Sequence, residues 1–151
     1  MSEIMEFSGE YRFLSNFKLA PVEYDGVIYP SVENAYQAAK TLDVEARKPF
    51  ELCLPHEAKR LGKTLRTRND WEVIKESVME HLVYLKFTHH IWLADMLIDT
   101  GDKNLVEGNR WGDTYWGVDI KTGEGANRLG KILMDVRCGI ESKRLKQGLI
   151  K

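Results

Sequence analysis

The sequence lacks the features of a membrane or secreted protein. No apolar run approaches the roughly 18 residues that a membrane-spanning helix needs, and residues 1–6 lack the basic-then-apolar layout of a signal peptide. Cysteine is also scarce: Cys53 and Cys138 stand far apart and form no CxxC pair. This usage is typical of a reducing compartment. We therefore expect a cytoplasmic protein with no membrane partner.

The sequence also lacks an excess of charge of either sign and a metal-binding motif. It has 22 basic and 23 acidic residues, so its formal net charge is -1. No global field then attracts nucleic acid, and any such affinity needs a local patch. The adjacent His89 and His90 point to different faces of a helix and lack the spacing of a zinc site. We expect neither a metal nor another cofactor.

No internal repeat, low-complexity stretch or linker-like change of composition divides the 151 residues. A chain of this length can bury a core of its own. We therefore predict one domain over residues 1–151, with a polar and basic tail from about 141 that is loosely ordered. The predicted elements indicate an α+β fold, dominated by helices, with a small antiparallel sheet near the N-terminus.

Local patterns predict most of the elements. The β-branched and aromatic flanks of Asp25-Gly26 predict a hairpin of Val22–Tyr24 and Val27–Tyr29 with a tight primed turn. Further short strands are predicted over residues 5–7, 105–107 and around 115–118. Caps and helical periodicity predict helices over residues 31–40, 43–54 with Pro49 as an interruption or a start, 56–61, 70–88, 91–98 and 126–140.

The helix over residues 31–40 has a clear start and two distinct stripes. Ser31 is a good N-cap, since its hydroxyl can accept a hydrogen bond from a free amide of the first turn. The stripe that is expected to face the core comprises Val32, Ala35, Tyr36 and Ala39. A polar stripe of Glu33, Gln37 and Lys40 runs beside it.

Glu33 and Lys40 stand two helical turns apart and project in nearly the same direction, with Gln37 between them. As a surface pair they would serve solubility, a common role of charged helical residues. As a site, the lysine could form a Schiff base with a sugar aldehyde once burial lowers its pKa, and the carboxylate could transfer protons. The pattern leaves both roles open.

The segment 109–119 combines two Trp-Gly pairs with Asp113 and Asp119. Tryptophan in a loop offers a flat face that stacks on a base or a sugar, and glycine lets a ligand approach the backbone. Trp111 and Trp116 could instead anchor the loop in the core. The pattern favours neither interpretation over the other.

Three further segments are candidates. Residues 12–17 place aromatic side chains around Ser15 and Asn16, which are left to hydrogen-bond. Residues 59–68 carry five basic side chains that could bind phosphate or form a solvated face. Residues 123–130 match neither a dinucleotide fingerprint nor a P-loop, so Asn127 or Gly125 is expected to cap the last helix, although its free amides could hold an anion.

These motifs lie at residues 9–17, 31–40, 57–62, 86–90, 113–117 and 127–137, and together they span nearly the whole chain. In this order they resemble the NADAR domain superfamily, the YbiA-like N-glycosidases. The resemblance implies helices around a small sheet and a hydrolase that acts on N-glycosyl bonds. It implies two substrate classes: ribosylamine phosphates of early riboflavin synthesis, and ADP-ribose attached to guanine in nucleic acid.

The resemblance also implies roles for residues. Glu33 falls on the family's glutamate, Lys40 on its lysine, and Asp113 on its acidic loop motif. We expect Glu33 in acid–base work, Lys40 as a possible Schiff-base nucleophile and Asp113 as a third catalytic residue. Val118 stands where the family often has an aspartate, so Asp119 is an alternative to Asp113. The expected substrate contacts are Phe13, Ser15, Asn16, Tyr36, Gln37, Arg60, Lys63, Tyr115, Trp116, Gly117, Asp119 and Asn127.

Two other classes compete with an enzyme. A non-catalytic module that binds ADP-ribose or nucleic acid would need the same pocket but no carboxylate. A structural adaptor would need no enclosed polar pocket at all. The expected partner is a small nucleotide-like substrate or ADP-ribosylated guanine in nucleic acid, and the sequence does not indicate an oligomeric state.

Overall fold

The computed structural model describes residues 2–148. The strands are β1 (Glu3–Ile4), β2 (Val22–Tyr24), β3 (Val27–Tyr29), β4 (Asn104–Leu105), β5 (Gly108–Asn109) and β6 (Val118–Asp119). The α-helices are α1 (Val32–Ala38), α2 (Val44–Arg47), α3 (Pro55–Gly62), α4 (Trp71–His89), α5 (Ile91–Asp99) and α6 (Arg128–Lys146). Two 3-10 helices cover Gly9–Leu14 and Lys48–Glu51.

The described chain forms two compact units. One, the central unit, contains residues 16–89 and holds β2, β3 and α1 to α4. The other, the terminal unit, contains residues 2–15 and 90–148 and holds β1, β4, β5, β6, α5 and α6. Each unit has its own fully buried apolar side chains, such as Phe50 and Leu82 in the central unit and Leu97 and Leu133 in the terminal unit.

The central unit begins with the predicted hairpin. Strands β2 and β3 pair antiparallel, with Val22 opposite Tyr29. Asp25 and Gly26 form the turn with φ of 49° and 80°, as a primed turn requires at both central positions. Tyr29 is fully buried and lies at the end of β3, just before the chain enters α1. The sequence prediction of this hairpin is confirmed.

Helix α1 begins as predicted, but it ends at Ala38, so that Lys40 lies in the turn after the helix rather than in it. The helix is tied to the following segment. The Ser31 hydroxyl accepts a hydrogen bond from the backbone amide of Asn34 at 3.1 Å. The Asn34 side chain, which is fully buried, donates to the carbonyls of Phe50 and Cys53 at 2.9 Å and 2.8 Å. These bonds hold α1 against the chain between α2 and α3. The segment predicted as one helix over 43–54 is split into α2 and the 3-10 helix Lys48–Glu51, with Pro49 in the first turn of the latter.

The terminal unit contains two short parallel pairs that the sequence did not predict. Strand β1 pairs with β4, and β5 pairs with β6. The predicted strands over 5–7, 105–107 and 115–118 are therefore displaced by one to three residues. Pairing sets these bounds: Ile4 is buried opposite Leu105, whereas residues 6 and 7 have no ladder partner in the described chain. Two-residue strands leave no alternation for a sequence pattern to detect.

Helix α6 ends later than the sequence predicts. It continues from Arg128 to Lys146 rather than ending near residue 140. Two hydrogen bonds fix its course: Arg137 donates to the Thr100 hydroxyl at 2.8 Å, and Arg144 pairs with Asp95 of α5 at 2.8 Å. The part of the predicted tail over 149–151 lies outside the described residues.

The fold class is α+β, as predicted, with long helices and three two-stranded sheets. The antiparallel sheet near the N-terminus is the β2–β3 hairpin. Among residues 2–148, no helix has the length and apolar character that crossing a membrane requires.

Candidate active site

Helix α1 buries Glu33 and Gln37, the polar residues beside its apolar stripe, as well as the apolar stripe itself. Val32 and Ala35 are fully buried, as their spacing predicts. Glu33 and Gln37 are only 7% and 5% exposed, although both side chains end in polar groups. A carboxylate is rarely buried without a partner, because burial removes its hydration. Glu33 is therefore not a solvated surface residue.

The Glu33 carboxylate has a defined partner within the same helix. Gln37, one turn later, donates its side-chain amide to Glu33 Oε2 at 2.6 Å. At the backbone, the amide of Glu33 donates to the carbonyl of Asn16 at 3.1 Å. Asn16 is itself buried, and its side chain donates to the sulfur of Met79 at 3.4 Å. Glu33, Gln37 and Asn16 thus belong to one buried polar group in the central unit.

Lys40 stands two turns beyond Glu33 and is half-buried. Burial lowers the pKa of Lys40 below its usual value, and the nearby charge of Glu33 opposes this by raising it. The ammonium lies 5.7 Å from the centre of the Tyr36 ring, which is within the range of a cation–π contact. The Tyr36 ring in turn packs 5.1 Å from that of Trp71. A lysine with a lowered pKa is neutral for a larger fraction of the time near pH 7, which is the form that attacks carbon.

Basic side chains of α3, and of the residue that follows it, affect the pKa of Lys40 through their charge. The positive charges of Lys63 and Lys59 both contribute to lowering the pKa of Lys40. Lys63 and Arg60 are exposed, and Lys59 lies 5.9 Å above the Phe17 ring. Exposed cations of this kind are suited to holding a phosphate.

In the terminal unit, Asp113 shapes the loop that contains the second Trp-Gly pair. Its carboxylate accepts the backbone amides of Tyr115 and Trp116 at 3.0 Å and 2.9 Å. The Asn109 side chain accepts from the Asp113 amide at 3.0 Å and donates to its carbonyl at 2.8 Å. Asp119 has a similar local role, because its carboxylate accepts the amide of Lys121 at 2.8 Å. Both aspartates hold turns.

The aromatic residues of this loop are largely accessible. Trp111 is 64% exposed and Tyr115 is 38% exposed, so Trp111 does not anchor the loop in the core. Trp116 is half-buried, and the Tyr115 ring meets it edge to face with centroids 4.8 Å apart. Exposed aromatic faces of this kind can stack on a base.

Gly117 and Asn127 occupy tight positions beside this loop. A Cβ at Gly117 would overlap the carboxylate and the carbonyl of Glu107, so no larger residue fits there. Asn127 adopts a left-handed conformation with φ of 50°, accepts the Glu107 amide at 2.9 Å and donates to the Leu105 carbonyl at 2.9 Å. Asn127 precedes α6, as predicted, but its side chain binds the backbone of residues 105–107 rather than the helix amides.

The predicted site residues divide between the two units. Buried Phe13 lies within the 3-10 helix Gly9–Leu14 of the terminal unit, and half-buried Ser15 follows that helix. The central unit holds Asn16, Glu33, Tyr36, Gln37, Lys40, Arg60 and Lys63, and the terminal unit holds Phe13, Ser15, Asp113, Tyr115, Trp116, Gly117, Asp119 and Asn127.

Sequence reasoning gave no role to three residues that shape these groups: Asn34, Gly62 and Glu107. A single polar residue or a glycine leaves no periodic signal. Their roles follow only from which carbonyl, side chain or backbone lies opposite them in the fold.

The comparison with known sequences identifies the family. The sequence model of the NADAR domain matches residues 4–141. The chain belongs to the NADAR domain family. The resemblance stated from the motifs is therefore confirmed, and the match includes both units of this NADAR protein.

Named relatives and a solved structure agree with this membership. The NADAR chain is 38% identical to the N-glycosidase YbiA of Escherichia coli over 133 residues, which cover 86% of this chain and 82% of that protein. It is 35% identical to the N-glycosidase Npun_R5314 of Nostoc punctiforme, with 84% of each chain covered. A riboflavin biosynthesis protein of Vibrio vulnificus is 38% identical over 130 residues, which make up 35% of that protein. The NMR structure of Escherichia coli YbiA superposes with a TM-score of 0.81 at 33% identity, covering 96% of this chain and 92% of that one.

Proposed function

We propose that this NADAR protein is an N-glycosidase that cleaves the C–N bond between a ribose and a base, with Glu33 and Lys40 as its catalytic residues. The observation that supports this most is a pair of side chains at α1. Glu33 on this helix has a buried carboxylate, and Lys40, just after the end of the helix, is half-buried and has a pKa lowered by burial. The expectation of a hydrolase that acts on N-glycosyl bonds agrees with the names of its relatives.

The proposed reaction uses both groups. Glu33 donates a proton to the base as the C–N bond breaks, and neutral Lys40 Nζ forms a bond to the anomeric carbon. The sugar ring then opens to leave a Schiff base on Lys40. Water adds to this carbon and returns a proton to the Glu33 carboxylate, the bond to Lys40 breaks, and the free sugar leaves with the amine restored. The balance is one water consumed, with one base and one sugar released.

The proposed substrate contacts follow from the chemistry of each group. Exposed Arg60 and Lys63 are suited to phosphate. On the loop of the terminal unit, Tyr115 and Trp116 are suited to stacking on a base, and Asp113 acts by holding their amides in place. Both a ribosylamine phosphate and ADP-ribosylated guanine offer these features, and the name of the Vibrio vulnificus relative supports the first.

The nucleophilic role of Lys40 can be tested by trapping. With either substrate class, sodium borohydride should reduce the Schiff base and add the mass of the reduced sugar to the wild-type protein at Lys40. Lys40→Ala should show no adduct, and kcat should fall about 1000-fold, within the usual range for a covalent or acid–base group. Lys131→Ala, which removes an exposed helical lysine, is the matched control and should behave as wild type. Full activity of Lys40→Ala would rule the Schiff base out.

Replacing Glu33 distinguishes an enzyme from a binding module. Glu33→Gln keeps the size of the side chain but removes the proton donor, so base release should fall by about 100-fold to 10000-fold while substrate binding persists. Released base would be followed by chromatography and binding by calorimetry. Glu80→Gln on the exposed face of α4 serves as the control. A wild-type protein that binds both substrate classes but releases no base would instead be a reader.

A further inference from the structure

We infer that Gly62 and Gln37 are positioning residues that together orient the Glu33 carboxylate, an inference that rests on the proposed function. Gly62 ends α3, which packs against α1. A Cβ built at Gly62 would overlap Gln37 Oε1 and lie 2.6 Å from Gln37 Cδ. The Gln37 amide therefore occupies the space that any other residue at position 62 would fill.

The orientation of the Gln37 amide is defined by one hydrogen bond and one packing contact. Its nitrogen donates to Glu33 Oε2 at 2.6 Å, and an oxygen in that position would instead repel the carboxylate. Its oxygen is buried and accepts no hydrogen bond from the described residues. No second polar contact in the described chain fixes this oxygen. The packing of Gly62 against the Gln37 amide therefore keeps the amide oriented toward Glu33.

The backbone of Gly62 does not itself require glycine. Gly62 lies within a helix and is not among the glycines with positive φ. Alanine favours helices more than glycine does, so α3 alone would tolerate or prefer it. The requirement for glycine thus comes from the side chain of α1 that lies opposite.

This arrangement makes a specific kinetic prediction. Gly62→Ala should displace the Gln37 amide, turn Glu33 away from its working position and lower kcat at least 10-fold, with KM changed less than twofold. Gln37→Ala should lower kcat by a similar factor, because the carboxylate loses the same donor. The double variant should be no less active than Gln37→Ala, since alanine at position 62 then has no amide to displace.

Gly139→Ala is the matched control. Gly139 also lies in a helix, has no positive φ and has open space where a Cβ would be. This variant should keep wild-type kcat and KM. Circular dichroism of all four variants verifies folding, and Gln37→Ala tests the same hydrogen bond without added bulk if Gly62→Ala fails to fold.

An NMR readout makes the inference independent of activity. The side-chain NH2 protons of Gln37 should exchange slowly in the wild type and in Gly139→Ala, and rapidly in Gly62→Ala. Unchanged exchange in Gly62→Ala, or losses of kcat that multiply in the double variant, would overturn the inference. A wild-type protein that releases no base overturns the proposed function instead, while the exchange data still decide whether Gly62 holds Gln37.

Discussion

We expect the buried side chain of Lys86 to make the free energy of unfolding depend on pH. It lies on α4, is 1% exposed, and its ammonium sits 5.0 Å from the centre of the Phe87 ring. Burial, with a smaller contribution from the positive charge of Lys18, lowers the pKa of Lys86 to about 7. The folded state therefore disfavours the charged form, whereas an unfolded chain leaves Lys86 with its usual pKa of 10.5.

The sign of the resulting pH dependence follows from linkage. Between about pH 7 and pH 10.5 the unfolded chain binds more protons at Lys86 than the folded protein, so the free energy of unfolding rises with pH. Below this window the full cost of burying the charge is present. The slope from this group is at most about 1.4 kcal/mol per pH unit.

Lys86→Met should remove this slope. Urea unfolding at pH 6, 7.5 and 9 should show wild type gaining stability relative to the variant as pH rises, because only wild type has a buried lysine that loses its charge. Lys131→Met, on an exposed position of α6, should run parallel to wild type. Parallel curves for Lys86→Met and wild type would show that Lys86 does not titrate in this range.

Helix α1 is the element on which the site depends, and its attachment can be tested separately from catalysis. The buried side chain of Asn34 on α1 donates hydrogen bonds to the carbonyls of Phe50 and Cys53. The side-chain oxygen of Asn34 accepts a hydrogen bond from the Ser31 hydroxyl at 2.6 Å. Removing this side chain leaves buried carbonyls without donors, and each such group costs about 1–3 kcal/mol.

Asn34→Ala should therefore lower the free energy of unfolding by roughly 2–4 kcal/mol. Asn69→Ala removes an exposed asparagine in the same unit and should change it by less than about 0.5 kcal/mol. Chemical denaturation with fluorescence of the tryptophans measures both. A loss as small as that of Asn69→Ala would mean that α1 does not depend on this attachment.

The predictability of each element depended on whether its determinants are local. Ser31 as a cap and Asp25-Gly26 as a primed turn act within four residues, so the sequence was sufficient for the start of α1 and for the hairpin. Strands β1 and β4 lie far apart in sequence, β5 and β6 are separated by the loop over residues 110–117, and each of these strands contains two residues. No local pattern encodes such pairs, and their predicted bounds were wrong.

At the scale of the whole molecule, the predicted elements indicated the fold class, and the order of motifs indicated the family, now confirmed over residues 4–141. What composition and order could not give is the burial of polar side chains. Glu33 and Gln37 have the same pattern as a solvated stripe, and their burial depends on the elements that pack around α1, among them α3, where Gly62 lies against Gln37. The sequence was thus sufficient to name Glu33 and Lys40 as candidate catalytic residues. It was not sufficient to identify the contact of Gly62 with Gln37 that we propose orients Glu33.

The complete burial of α1 has a consequence for how the protein can change over evolution. Every residue from Val32 to Ala38 is buried and therefore constrained by packing, and Glu33, Asn34 and Gln37 are constrained by side-chain hydrogen bonds as well. New substrate preferences are then more readily acquired at exposed positions such as Trp111 and Tyr115, where a substitution costs the fold little. A library directed at the loop, with α1 left untouched, should yield folded variants of altered selectivity far more often than one directed at the helix.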